Sequence, residues 1–261
     1  MSQAPEHRTR PRRSLPVVDP AQDRLDGRTL QQAQRLLDDS RLDDALALLA
    51  PLASAPSTSI RCQATLLAAA LLSRRSQPAL VIELLERIPD SGVVVDRGFF
   101  LLLRAQAARQ LRHVDLALRD AEAACALGET PARLLVLADC KKASDDVDGA
   151  VAVLQRARAL DPANVSVLGQ LCGFLALAGD AAGSDEVWEA WLAVHAKNPS
   201  TAQLDDADHH RNLAFALVCR QDFEAAIAAA AEAMAIEPAV TRAWLDDGDD
   251  MASIRRDPRL R

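Results

Sequence analysis

"RARALDPANV" (residues 156–165) and "EAMAIEPAV" (residues 232–240) end two separate segments of this chain in nearly the same way. Each carries an Ala-x-Ala pair, an aliphatic residue, an acid, a proline, an alanine and a valine. They read as two copies of one helix end. Alanine favours the helix up to that point, and proline lacks the N–H that a continuing helix needs. Pro162 and Pro238 lie 76 residues apart. Two units of about 34 residues and an insertion of about eight give that spacing, and internal periods of about 20–50 residues mark repeat arrays.

Small residues recur inside the units. In 131–164 the eighth, twentieth and twenty-seventh places hold Ala138, Ala150 and Ala157; in 207–240 they hold Ala214, Ala226 and Ala233, without a gap. Alanines on facing helices let two backbones approach closely. The units resemble tetratricopeptide repeats, which are antiparallel helix pairs. The stretch "NLAFALVCRQDFEAAIAAAAEAMAIEP" (residues 212–238) is the clearest copy, with the family's pattern falling on Leu213, Ala214, Gln221-Asp222, Ala226, Ala233 and Pro238.

The same register extends outward. The unit from 165 keeps the turn "LAGD" (residues 177–180), with Cys172 and Ser184 as its small residues. The unit from 98 offers Ala105, Ala117 and Ala124, and its turn lies near residues 111–113. Two earlier second helices, at 80–90 and 43–56, pair with first helices centred on Ala69 and Ala33. The fold class implied is all-α: a right-handed superhelical solenoid of about six helix-turn-helix repeats with a C-terminal capping helix. Its units lie near 26–59, 62–95, 98–130, 131–164, 165–198 and 207–240, within an array spanning 23–240. Residues 241–261 read as the cap that shields the last apolar face, with helical spacing at Ala243, Met251 and Ile254. Residues 1–22, rich in Arg and Pro, read as a disordered tail.

Departures from the family pattern are informative. Large aromatics expected in first helices are mostly Leu or Ala here. Trp188 and Trp191 stand where small or aromatic residues of a second helix belong, and 197–206 lengthens one connection.

Composition agrees with helices: aromatics are 3% with no Tyr, while Ala and Leu dominate. The net charge of −7 disfavours a broad nucleic-acid surface. Five cysteines without a C-x-x-C argue against a disulfide framework or zinc knuckle and suit small buried residues in a reducing compartment. No apolar run approaches the roughly 18 residues of a membrane span, and the four arginines of the N-terminus lack the apolar stretch of a signal peptide. A cytoplasmic protein without membrane contact is expected.

Catalytic and cofactor signatures are not found: the ten glycines form neither a P-loop nor a dinucleotide fingerprint. "DDADHHR" (residues 205–211) is the best metal candidate. His209 and His210 would point about 100° apart on a helix, so an acidic first helical turn explains the stretch better, and no metal is assigned. "DDGDD" (residues 246–250) lacks the spacing of a calcium loop and reads as solvated acidic surface. The arginine run at 7–14 has no aromatic neighbours for stacking.

The resemblance implies a concave surface lined by first helices. Its candidate partner-binding residues are Leu66, Arg74, Leu102, Arg109, Leu135, Asp139, Lys142, Leu177, Arg211, Phe215 and Val218, with Trp188 and Trp191 as a second patch. Aliphatic residues alternating with single charges suit a partner peptide or amphipathic helix. The family's Lys/Asn/Arg clamp for chaperone carboxylates would fall on residues such as Leu135, Asp139, Gln170, Asp208 and Asn212, which do not make it. The expectation is a non-enzymatic protein–protein interaction module, an adaptor, assembly factor or chaperone from a bacterium. The alternative is a regulatory protein whose basic tail or His209–His210 region binds nucleic acid or metal. Apolar first helices near residue 30 leave room for a homodimer.

Overall fold

The computed structural model describes residues 19–39, 41–89, 95–197, 207–247 and 249–260, and the chain divides into two compact units, 1–64 and 65–261. Every regular element among the described residues is helical: α1 (Pro20–Asp38), α2 (Leu42–Leu49), a 3-10 turn (Ala50–Ser54), α3 (Thr58–Arg74), α4 (Pro78–Glu86), α5 (Arg97–Gln110), α6 (Val114–Ala126), α7 (Pro131–Ala143), α8 (Val147–Leu160), α9 (Val165–Leu177), α10 (Ala181–Lys197), α11 (Ala207–Cys219), α12 (Phe223–Ile236), α13 (Pro238–Asp247) and two closing 3-10 turns (Asp249–Ser253, Pro258–Leu260). The protein is an all-α helical-repeat protein.

In the first unit α1 starts earlier than the array boundary expected at residue 23. The Asp19 carboxylate accepts the Ala21 N–H at 2.9 Å, and Pro20 takes the first helical position, where its missing N–H costs nothing. Residues 1–18, with the arginine run, lie outside the described residues. Leu30, Ala33 and Leu37 of α1 and Ala45 and Leu49 of α2 are buried where the two helices pack.

In the second unit one device makes every hairpin. Ser76, Arg112, Asp145, Gly179 and Gln221 take positive φ (52°, 62°, 63°, 82° and 65°). The residue after each one sends its N–H back to close the preceding helix: Gln77 to Leu72 O at 3.0 Å, His113 to Ala108 at 2.8 Å, and Asp146, Asp180 and Asp222 to Lys141, Leu175 and Leu217 at 2.9 Å. In three turns that same residue also caps the next helix, the carboxylates of Asp146, Asp180 and Asp222 accepting from Gly149, Gly183 and Ala225. So short a connection leaves the next helix no path but antiparallel.

The repeat alanines do what their spacing suggests. Ala105, Ala117, Ala124, Ala138, Ala150, Ala157, Ala214, Ala226 and Ala233 are all fully buried. In the fifth hairpin Cys172 and Ser184 take two of these places, and the Ser184 hydroxyl donates to Cys172 O at 3.0 Å. Trp191, at the third place, is buried in the core with Leu134, Leu154, Leu168, Leu171 and Phe174. Four of the five cysteines are buried and Cys219 partly so, all as thiols.

A further helix and two 3-10 turns follow the last repeat. Pro238 ends α12 and also opens α13, because the φ that stops one helix suits the first position of the next. Two 3-10 turns follow. Leu245, Met251, Ile254 and Leu260 are buried there against Leu217 and Ile227, while Ala243 is only partly covered. Thr241 is buried and donates to Ala233 O at 3.0 Å.

Neighbouring hairpins join in two ways. α6 packs on α7 and α8 on α9, whereas α9 packs extensively and directly on α11. Glycines allow the second kind. A Cβ on Gly173 would overlap the Phe215 ring, 2.8 Å from Cδ1, and one on Gly169 would lie 3.1 Å from Asn212 Cβ. Gly169 and Gly173 are one helical turn apart and therefore share a face.

Candidate functional site

The inner faces of α5, α7, α9 and α11 converge on a cleft of about 420 Å³ that the last segment of the chain closes at one end. Arg109 and Arg112 come from α5 and its turn, and Asp139, Lys142, Ala143 and Asp145 from α7 and its turn. Gln170 and Phe174 come from α9, Arg211, Asn212 and Phe215 from α11, and Trp244, Asp250 and Met251 from the C-terminal segment.

Its walls are built by the packing described above. Gly173 lets the Phe215 ring lie against α9, edge-on to Phe174 with centroids 5.5 Å apart and planes at 84°. Lys142 Nζ stands over that ring at 5.6 Å from its centroid and is ion-paired with Asp250. Arg211 is buried. Its guanidinium donates to Glu237 and to the Thr241 hydroxyl, each at 3.2 Å, which ties the cleft floor to α13. Gln170 Oε1 is shielded from solvent and has no hydrogen-bond partner among the described residues. A buried acceptor left unmade costs about 1–3 kcal/mol, so the Gln170 amide gains by turning its oxygen onto an N–H donor brought into the cleft.

Burial also sets the thiols of Cys140 in α7 and Cys219 in α11. The Cys219 thiol is pushed up to about 12 by burial and then by the Asp250 carboxylate, with Lys142 opposing. Cys140 is likewise pushed up to about 12, by burial first and Asp139 second. Both stay protonated at neutral pH.

Of the groove residues expected from sequence, Arg109, Asp139, Lys142, Arg211 and Phe215 meet in this cleft. Leu66 and Val218 are buried instead, and Leu102 and Leu135 pack against the core. Val218 holds the same repeat place as Arg109 and Lys142, but in the last repeat it joins a core cluster with Leu245, Met251 and Ile254 of the C-terminal segment. Leu177 lies exposed at the end of α9 and Arg74 at the end of α3. The result is a cleft more charged than the alternating surface anticipated.

Trp188 and Trp191 stack with centroids 5.3 Å apart. Trp191 belongs to the core, and Trp188 is partly covered by the Arg220 guanidinium at 5.1 Å from its ring, so they do not form a joint exposed patch. The side chains of Asp208 and His209 lie outside the described residues. Among those described, no three His, Cys, Asp or Glu residues are grouped to hold a metal, and no helix is long and apolar enough to cross a membrane.

Sequence reasoning missed Arg112, Asp145, Phe174, Trp244, Asp250 and Met251, and had placed Gln170 and Asn212 only as failed clamp positions. Two signals were available. "GQLCG" (residues 169–173) puts glycines at a helical-turn spacing, which announces close packing of a second helix. The positive-φ turn residues Arg112 and Asp145 sit at the rim because all the turns share one geometry. Asp250, read as solvated surface, instead turns inward onto Lys142.

No protein-family model matches this chain, and no curated protein sequence matches it. Solved structures do. A MamA fragment from Desulfovibrio magneticus RS-1 is 14% identical with a TM-score of 0.55, covering 67% of this chain and 97% of that one. The thermophilic TPR protein TTC0263 of Thermus thermophilus is 17% identical with a TM-score of 0.52, covering 73% and 99%. Cut9, in the APC/C Cut9–Hcn1 hetero-tetramer, is 15% identical with a TM-score of 0.59, covering 89% of this chain but 43% of its own. At such identities the likeness is one of fold.

Proposed function

Because the chain carries the tetratricopeptide-repeat fold, we propose that it is a non-enzymatic protein–protein interaction module that takes a segment of a partner protein into the cleft between α5, α7, α9 and α11. The observation that carries this reading is the shielded, unpartnered Gln170 Oε1, set beside the Phe174 and Phe215 rings and the Lys142 ammonium. A polypeptide supplies a backbone N–H for the amide oxygen, an apolar side chain for the rings and a carboxylate to take the place of Asp250 at the cation. Extended peptides bind through just this mix of main-chain hydrogen bonds and side-chain pockets. The reading extends to a soluble, cytoplasmic role as adaptor, assembly factor or chaperone.

A photo-crosslinking residue placed at Asn212, at Leu160 on the end of α8, or at neither tests it in cell extract. A partner caught from position 212, lost when Lys142→Glu is added, and not caught from 160 is the expected result. Capture from 160 alone would contradict it.

A further inference from the structure

The protein as a whole is at −7, yet the repeat helices and their turns bring Arg109, Arg112 and Lys142 to the cleft beside Asp139 and Asp145, while Arg211 is taken up by Glu237. The remaining acid, Asp250, does not come from the repeats. It belongs to the C-terminal segment, 108 residues from the lysine that it pairs with. Both side chains are about three-quarters covered, at 28% and 23% exposure, so the pair lies inside the cleft mouth rather than on open surface. On either side, Leu245, Met251 and Ile254 are buried and hold the segment in place. Beyond it the cleft still has a volume of about 420 Å³. Trp244, Asp250 and Met251, from the segment "WLDDGDDM" (residues 244–251), therefore occupy one end and leave the rest open.

Resting on the docking role argued above, we propose that the partner segment is acidic, and that Asp250 is a resident competitor for its carboxylate at Lys142. A tethered competitor acts at an effective concentration of roughly millimolar or more. A partner must outbid it with the further contacts that only a longer segment makes: an apolar side chain on Phe174 and Phe215, and an N–H on Gln170. The pairing thus sets a threshold. Short or weakly acidic segments fail to displace Asp250, and longer acidic ones succeed.

The test uses the full chain and a fluorescent peptide copying residues 244–251, acetylated and amidated so that no terminal carboxylate is offered. Asp250→Asn is expected to bind this peptide at least about tenfold more tightly than wild type, since it removes one charge-assisted competitor. The same peptide with Asp249→Asn and Asp250→Asn should show no gain. Lys142→Gln also breaks the resident pair but removes the receptor, so it should show none either. Equal binding by wild type and Asp250→Asn overturns the proposal, as does an equal gain in Lys142→Gln, which would mean that a loosened segment rather than a freed lysine is responsible. If Asp250→Asn disturbs folding by far-ultraviolet dichroism, Asp250→Ser is read in its place. Absence of peptide binding while the Asn212 crosslink to a partner persists overturns the acidic-partner proposal alone; loss of both removes the docking role with it.

Discussion

Two junctions within the second unit are built from different small residues and do different things. Where α8 meets α9, alanines at fixed places in each hairpin let second and first helices alternate, and Ala150 and Ala157 are fully buried. Where α9 meets α11, two first helices lie directly together, and the contact falls on Gly169 and Gly173, outside the repeat alanine places. With no Cβ at either position, Phe215 and Asn212 come against α9 and lie side by side with Gln170 and Phe174. The regular junction makes the array, and the irregular one makes the cleft.

The largest effect that should break this contrast is Gly173→Val. Its side chain enters the space of the Phe215 ring, and overpacking of this kind costs about 1–3 kcal/mol, with the upper end expected here. Thermal unfolding should show the loss, and the same substitution should abolish partner crosslinking at Asn212. A midpoint equal to wild type would mean that α9 and α11 are not in close contact.

Thr241→Ala comes next. It removes the hydroxyl that links Ala233 O to Arg211, leaving buried groups short of a partner at about 1–3 kcal/mol. The loss should be read both in stability and in weaker protection of α13 from hydrogen exchange. At the alanine junction, Ala150→Gly should cost only about 1 kcal/mol, mostly helix propensity. That is a smaller loss than at Gly173, where three carbons are added rather than one removed.

A pH series sharpens the comparison further. The Cys140 thiol is raised from 9.0 to about 12 in the fold, so its contribution to stability is complete below pH 9 and is lost as pH rises towards about 12. Cys140→Ala should make that alkaline decline shallower, with Cys219 still contributing to it, without changing the acid limb. The smallest effect is a gain: Gln221→Gly relieves a positive φ of 65° and should stabilise the chain by about 0.5–1 kcal/mol.

These contrasts show why the sequence disclosed the fold more fully than the site. The alanines are legible because each repeat demands the same residue at the same place, and the turns because one backbone geometry recurs at residues 76, 112, 145, 179 and 221. The cleft arises where the repetition stops. The direct contact of α9 with α11 depends on glycines outside the repeat pattern. Asp250 reaches Lys142 across 108 residues, a pairing that no local periodicity encodes. Val218 shares its repeat place with Arg109 and Lys142, and the C-terminal segment packed on the last repeat puts it in a core instead.

The most direct test is to follow the side-chain amide resonances of Gln170 and Asn212 by NMR while the amidated peptide is added to Asp250→Asn chain. Both resonances should shift and saturate together with Lys142, at concentrations that leave wild type unmoved. Shifts confined to residues on the ends of second helices, such as Leu127 and Leu160, would contradict it.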